Sequence, residues 1–475
     1  MKSKIIILLI WWLCSINAVA NSLYMPEGYI NSEVLEFIGV LNSSDQPIKA
    51  KCTFYYEDGR EFSIPITFPA KQRSTIIPSE VGIDFDTPFA TVITAEQNLT
   101  ATLIHYDHGN ALGENFSTTT STVWSLVGSY KNDQVRDFLT IYVDTDDEVE
   151  IGVTIYPIGT TPTNYIKDSN IYLKREGQRR ISIPLHELIS TDNFCCNPKI
   201  PYGIVVRATK PIVASLSHYD DTMQGGYLIM GIPSLGADHG YIAEGFMNSG
   251  IVESLNVMTT HSENSNHGSR SLLLKVHYAD GVVVEIGNNR LINHVGNQVN
   301  IWLKSKGIGP SEYYLRENIG YWLEYQARDN YDWNQGNPVP VAVNFIHSDH
   351  GGVNGSHAVS QSSKVWEFAE GYRSSTRDDV HEHLLLLNPD NDATATVKVI
   401  IYYDDGLEPT ELDYTLEPNE KIGIALHDNE ALREAHSSGG ISYGIRIESD
   451  VAIVPYFTHY DFILRGSFAL NGTSY

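Results

Sequence analysis

Four short strings along the chain place an imidazole and a carboxylate two residues apart: His105-Tyr106-Asp107, His218-Tyr219-Asp220, His347-Ser348-Asp349 and His459-Tyr460-Asp461. Each ends an apolar stretch of period two, so His and Asp share one face of a strand and the central residue points the other way. Two kinds of chemistry suit the pair. A carboxylate that accepts the Nδ1 proton would fix the imidazole and tie down the following turn, with the central tyrosine in the core. Alternatively, the pair belongs to a metal or sugar site completed by the glutamate of a second motif, found as Glu27-Gly28-Tyr29, Glu244-Gly245-Phe246 and Glu370-Gly371-Tyr372. A metal needs three or four ligands and each string supplies two. Moreover, Val127-Gly128-Ser129-Tyr130 puts Val127 where the second copy would need its glutamate. The structural clamp is therefore the expectation, with no metal and no cofactor.

The strings recur at intervals of 113, 129 and 112 residues, which is domain spacing, so each marks the end of a repeating unit. After the glutamate-glycine-aromatic opening, a strand ends at Leu41-Asn42 or Leu387-Asn388. A tight turn follows another strand in Tyr55-Tyr56-Glu57-Asp58-Gly59, His277-Tyr278-Ala279-Asp280-Gly281 and Tyr402-Tyr403-Asp404-Asp405-Gly406. Asp-Gly after an alternating run signals a hairpin, because glycine takes the positive φ that the turn requires. A second hairpin closes each unit. It starts at Phe89-Ala90-Thr91, Tyr202-Gly203-Ile204 and Tyr443-Gly444-Ile445, with Gly320 in the corresponding place of the third unit, 27 residues before His347. Strands of five to eight residues with frequent turns predict an all-β protein of four tandem β-sandwich domains, at 21–122, 123–237, 238–362 and 363–475. Short Ser/Thr-rich joints would keep neighbouring domains packed on each other.

Residues 1–20 read as a signal peptide: Lys2 and Lys4, an apolar run from Ile5 to Leu13, then Ala18-Val19-Ala20 as the cleavage site. The run is too short to span a bilayer, and no later stretch reaches that length. The expected location is secreted, periplasmic or at the cell surface. The net charge of −26 repels nucleic acid and anionic lipid, so neither is an expected partner. Three cysteines remain after cleavage, too few for a disulfide scaffold. Cys52 lies in a strand pattern and reads as core. Cys195 and Cys196 are adjacent in a polar loop, where free thiols, a vicinal disulfide and a redox or metal role all stay open.

The fourth unit carries a family resemblance. Trp366-Glu367-Phe368-Ala369-Glu370-Gly371-Tyr372, Leu387-Asn388, Ile401-Tyr402-Tyr403 and the strand leading to His459 together resemble the sensory rhodopsin transducer family. The same motifs are recognisable in the first and third units and faint in the second. The resemblance implies a jelly-roll-like β-sandwich similar to carbohydrate-binding modules, in small, soluble, cytoplasmic, tetrameric proteins. This chain departs from that pattern in its export signal and in stringing four copies together.

The third unit adds an aromatic insert in which Tyr331, Trp333, Asn334 and Gln335 set flat rings among amides, a combination suited to stacking a sugar or meeting a protein. His381-Glu382-His383 lacks the spacing of a zinc peptidase, and no nucleophile elbow, phosphate loop or dinucleotide fingerprint occurs. The sequence thus points to a non-enzymatic binding protein that recognises carbohydrate or a protein partner through loops at the sandwich ends. A structural component of an envelope assembly, built by stacking or self-association of the repeats, is the alternative; a glycan-active enzyme ranks last.

Overall fold

The computed structural model describes residues 21–107, 109–157, 170–189, 200–221, 225–259, 270–291, 298–305, 314–329, 336–349, 352–376, 378–435 and 440–475. Its architecture is all-β, with short helices at Leu185–Leu188 and Glu430–Ala435. In the first segment, Asn21–Met25, Phe89–Ala95, Ile48–Tyr56 and Glu61–Phe68 form one sheet in that spatial order. Gln72–Ile76, Leu35–Asn42, Thr100–Asp107 and Asn110–Asn115 form the other. Ile38, Val40 and Leu103 of the second sheet pack with Phe54, Phe89 and Ile93 of the first. These positions alternate along their strands, which is why a period-two sequence buries one face against the facing sheet.

The other segments repeat this arrangement with one variation. Ile200–Asp220 and Ile441–Asp461 are single long strands that cross from one sheet into the other. The first half of Ile441–Asp461 pairs with Ala395–Tyr403, and the second half pairs with Val380–Leu387. In the first and third segments the same path is broken, into Phe89–Ala95 and Thr100–Asp107, and into Tyr321–Arg328 and Val341–Asp349. The Asp-Gly turns behave as their sequences require: φ is 90° at Gly59, 83° at Gly281 and 76° at Gly406.

Two alignments made from spacing alone are corrected by the register. Phe89, Tyr321 and Tyr443 each donate a backbone N–H to the glycine carbonyl of Gly28, Gly245 and Gly371. Tyr321 is therefore the third segment's counterpart of Tyr443, and the trio begins one residue after Gly320. In the second segment Tyr202 pairs with Ser129, so Ser129 occupies the glycine position and Gly128, not Val127, stands where the glutamate is found elsewhere.

The four closing strands are Asn110–Asn115, Gly225–Met230, Gly352–His357 and Gly466–Asn471. They pack in a closed cycle, first on second, second on third, third on fourth and fourth on first. Small residues permit the approach: a Cβ at Gly113 would strike Phe468, one at Gly355 would strike Tyr227, and one at Gly466 would strike Ala111. Apolar clusters seal two seams, Leu41 with Ala369, Ile400 and Tyr402, and Val127 with Val205, Met258 and Ala342.

Candidate functional site

The histidine of each string lies in its own sandwich interior, and its partner comes from the adjacent strand. His105 Nδ1 is 3.0 Å from Glu36, His218 Nδ1 2.6 Å from Asp137, His347 Nδ1 2.9 Å from Glu253 and His459 Nδ1 2.8 Å from Glu382. All eight residues are buried. The Nδ1 partner is thus not the Asp two residues further on, as the clamp reading supposed. In the first segment Asp107 lies on the other side of the ring, 3.8 Å from Nε2. The four acids were missed because they precede their histidines by 69 to 94 residues, and only antiparallel pairing brings them opposite. A signal existed: each acid opens an alternating apolar face, as in Glu36-x-Ile38-x-Val40 and Glu382-x-Leu384-x-Leu386.

A third residue crosses from the facing sheet. Tyr202, Tyr321 and Tyr443 donate their phenol O–H to Asp137, Glu253 and Glu382 respectively. The opening motif contributes a backbone donor: Tyr29, Phe246 and Tyr372 give their N–H to Glu36, Glu253 and Glu382 at 3.0, 3.1 and 2.7 Å. The motif's glycine is needed because the ring of Phe89, Tyr321 or Tyr443 lies against it. In the first segment the aromatic is Phe89, and Glu36 Oε1 is left with no partner. Burial raises the Glu36 pKa. Burial pulls the His105 pKa down, but acceptance by Asp107 and Glu36 overcomes it and raises the imidazole to about 10. His459 is raised on the same balance, burial against Glu382. Such a network suits a tightly held polar bridge between sheets.

The tyrosines of the strings face outward, toward the preceding segment. The Tyr106 hydroxyl lies 3.4 Å from Asp461, and the charges of Asp107 and Asp349 act on Tyr219 and Tyr460 respectively. The tyrosine at the centre of the string is therefore buried between segments rather than within one. Ser348 breaks the pattern, and there Asp220 takes the hydroxyl of Tyr130 from its own segment.

Two of the motif glutamates have partners in another segment. Glu27 accepts from Ser217 at 2.7 Å, and Glu370 is paired with Arg73 at 2.6 Å. Arg73, Arg180 and Lys421 hold equivalent places, five residues beyond the acid on the paired strand, and each reaches the preceding segment. Arg73 meets Glu370, Arg180 meets Glu57 at 2.5 Å, and Lys421 donates to the carbonyls of Gly245 and Tyr321 at 3.1 and 2.7 Å. At one end of the closing strands lies a cavity of about 530 Å³ lined by Asn110, Asp221, Gly225, Gly352, Asp461 and Ser467, with members from all four segments.

A Trp-anchored opening, a buried acid and a Tyr-His pair recur together most fully between Trp366 and Asn471. Residues 361–472 match the Anabaena sensory rhodopsin transducer family. The matched segment is all-β and of sandwich type. Among solved structures, the chain is similar to one entitled "Crystal Structure of Thermotoga maritima 1070", at 20% identity over 24% of this chain and 97% of that one, with a TM-score of 0.21. No curated protein matches the chain significantly. Cys52, as read, is buried in the core, and burial pushes its thiol up to about 12. Tyr331, Trp333, Asn334, Gln335, Cys195 and Cys196 lie outside the described residues. No helix among the described residues is long and apolar enough to cross a membrane.

Proposed function

We propose that the chain is an exported, non-enzymatic binding protein made of four diverged copies of the transducer-like domain, closed into a ring within one polypeptide. The observation that carries this reading is the cyclic contact of the four closing strands, with a cavity at their shared end. A ring of four linked sandwiches gathers four sets of end loops on one axis, and loops held by a rigid scaffold are where binding residues concentrate. The ligand class in this reading is a carbohydrate or an exposed protein segment, met by the axial turns and by the aromatic insert around Trp333.

The test is a glycan array and a pull-down with the mature chain, comparing wild type with Trp333→Ala and with Asp461→Ala at the axial cavity. Binding weakened by either substitution supports the reading. Absence of any ligand, together with concentration-dependent growth in light scattering, would favour the assembly alternative. Analytical ultracentrifugation tests the ring itself, since one closed chain should sediment as a compact monomer.

A further inference from the structure

We propose that Glu244, Glu253 and His347 of the third segment form a divalent-cation site, with the Asn354 side chain as a fourth donor. Ligand atoms of the first three lie within 4.8 Å of one another. Comparison of the four segments shows why the site is confined to one of them. Glu27 is held by Ser217, Glu370 is held by Arg73, and the second segment has Gly128 at this position. Among the described residues, Glu244 is the motif glutamate whose carboxylate comes within 4.8 Å of both the acid and the histidine of its own segment. Glu253 and His347 are buried, and Glu244 is at most partly exposed.

Asn354 is the second, independent observation. It stands directly opposite His347 in the antiparallel register, so the two side chains share a face. The residue at that position lies flat on the imidazole in two other segments, Tyr227 on His218 with ring centroids 4.5 Å apart and Phe468 on His459 at 4.6 Å. Asn354 is 1% exposed, yet neither its Oδ1 nor its Nδ2 has a hydrogen-bond partner. A buried amide with nothing to bond is costly unless something else fills the place, and a cation would take its Oδ1. The remaining space is polar: the Tyr321 phenol bonds Glu253, and the Lys421 ammonium is committed to two carbonyls beside it.

Two carboxylates, one imidazole and one amide oxygen make a mixed nitrogen and oxygen donor set, which suits zinc or manganese better than calcium or magnesium. Binding would replace the proton between His347 and Glu253, so each ion taken up releases a proton. Lys421 is the competing counter-ion, and its charge limits the affinity.

The experiment uses the tag-free mature chain, stripped with chelator and titrated calorimetrically with zinc and with manganese, with bound metal counted after desalting. One ion per chain is expected. Glu244→Gln should weaken uptake by more than the roughly tenfold that loss of an outer partner costs. Asn354→Leu, which installs the residue type of Leu112 in the first segment, should weaken it while the fold is retained. Surface uptake by His381, His383 and His427, whose rings cluster around His427, is separated by His427→Ala, which should leave the ion count unchanged. No saturable uptake, or uptake undiminished in folded Glu244→Gln, overturns the proposal and leaves Lys421 as the charge partner.

Discussion

Tyr443 reaches across its sandwich to give its phenol hydrogen to Glu382, whose other oxygen takes the Nδ1 side of His459. The three residues come from two strands, of which Ile441–Asp461 runs through both sheets, so the bond locks one layer to the other at the end of the core. Tyr202 with Asp137 and Tyr321 with Glu253 repeat it, each with a buried histidine. Phe89 is the exception, and the cost is visible as the unpartnered Glu36 Oε1.

That contrast gives a substitution in each direction. Phe89→Tyr should stabilise the chain by about 1 kcal/mol, because it supplies a hydrogen bond to a buried carboxylate oxygen in a geometry the other segments already use. Tyr443→Phe should cost about 1–3 kcal/mol by creating the same orphan in the fourth segment. Urea unfolding midpoints measure both, and a destabilised Phe89→Tyr would show that the first sandwich has no room for the hydroxyl.

The all-β class and the Asp-Gly turns were legible in the sequence, and the buried partners were not. Asp58-Gly59 and its counterparts fix turns through local backbone chemistry, so residue type and spacing suffice to find them. Glu382 sits between two histidines in a pattern that looks like solvent-facing polarity, and its role depends on a strand 77 residues away. Likewise, period two tells that His105 and Tyr106 face opposite sides, but not which side is the sandwich interior. That depends on a neighbouring segment covering the outer face, so that Ile104 and Ala111 join the core of the fourth segment. Spacing also misled where lengths happened to agree: Gly128 to Gly159 spans the same 31 residues as Gly28 to Gly59, yet Ser129 occupies the structural place.

Stability should fall as the solution becomes alkaline. His105 has a folded pKa of about 10 against an ordinary value near 6.5, so the folded state holds its proton more tightly. Its contribution is complete below about pH 6.5 and is lost as pH rises toward 10. Glu114, raised by burial to about 7, acts in the same sense at lower pH, between about 4.5 and 7. Unfolding free energy measured from pH 6 to 10 should decline in the wild type and decline less in His105→Asn. Equal slopes would mean that the imidazole is neutral in the fold.

Arg73 and Glu370 close the seam between the first and fourth segments, and both are buried. Removing one partner leaves an uncompensated buried charge, so Arg73→Ala should cost about 3–5 kcal/mol. The loss should open this seam first, because no peptide bond joins its two sides, unlike the three seams between consecutive segments. Limited proteolysis should then release fragments cut near residue 120 or 362 from the variant before the wild type. The double variant Arg73→Met with Glu370→Leu should recover much of the loss, since apolar replacements remove both charges.

Gly466 tests whether the closing strands need to touch. A side chain there would collide with the backbone and Cβ of Ala111 across the seam, and backbone cannot rotate out of the way as a long side chain can. Gly466→Val should therefore cost about 1–3 kcal/mol or more by overpacking, and it should enlarge the hydrodynamic radius if the cycle opens. Gly152 is the matched control. It also lies within a strand, but a Cβ there meets only ordinary contacts, 3.7 Å from Tyr172 and 4.0 Å from the Arg207 carbonyl. Gly152→Ala should be neutral or slightly stabilising, because alanine restricts the unfolded chain without touching anything in the folded one. If both variants behave alike in unfolding and sedimentation, the closing strands do not hold the four segments together, and the ring would have to rest on Arg73, Arg180 and Lys421 instead.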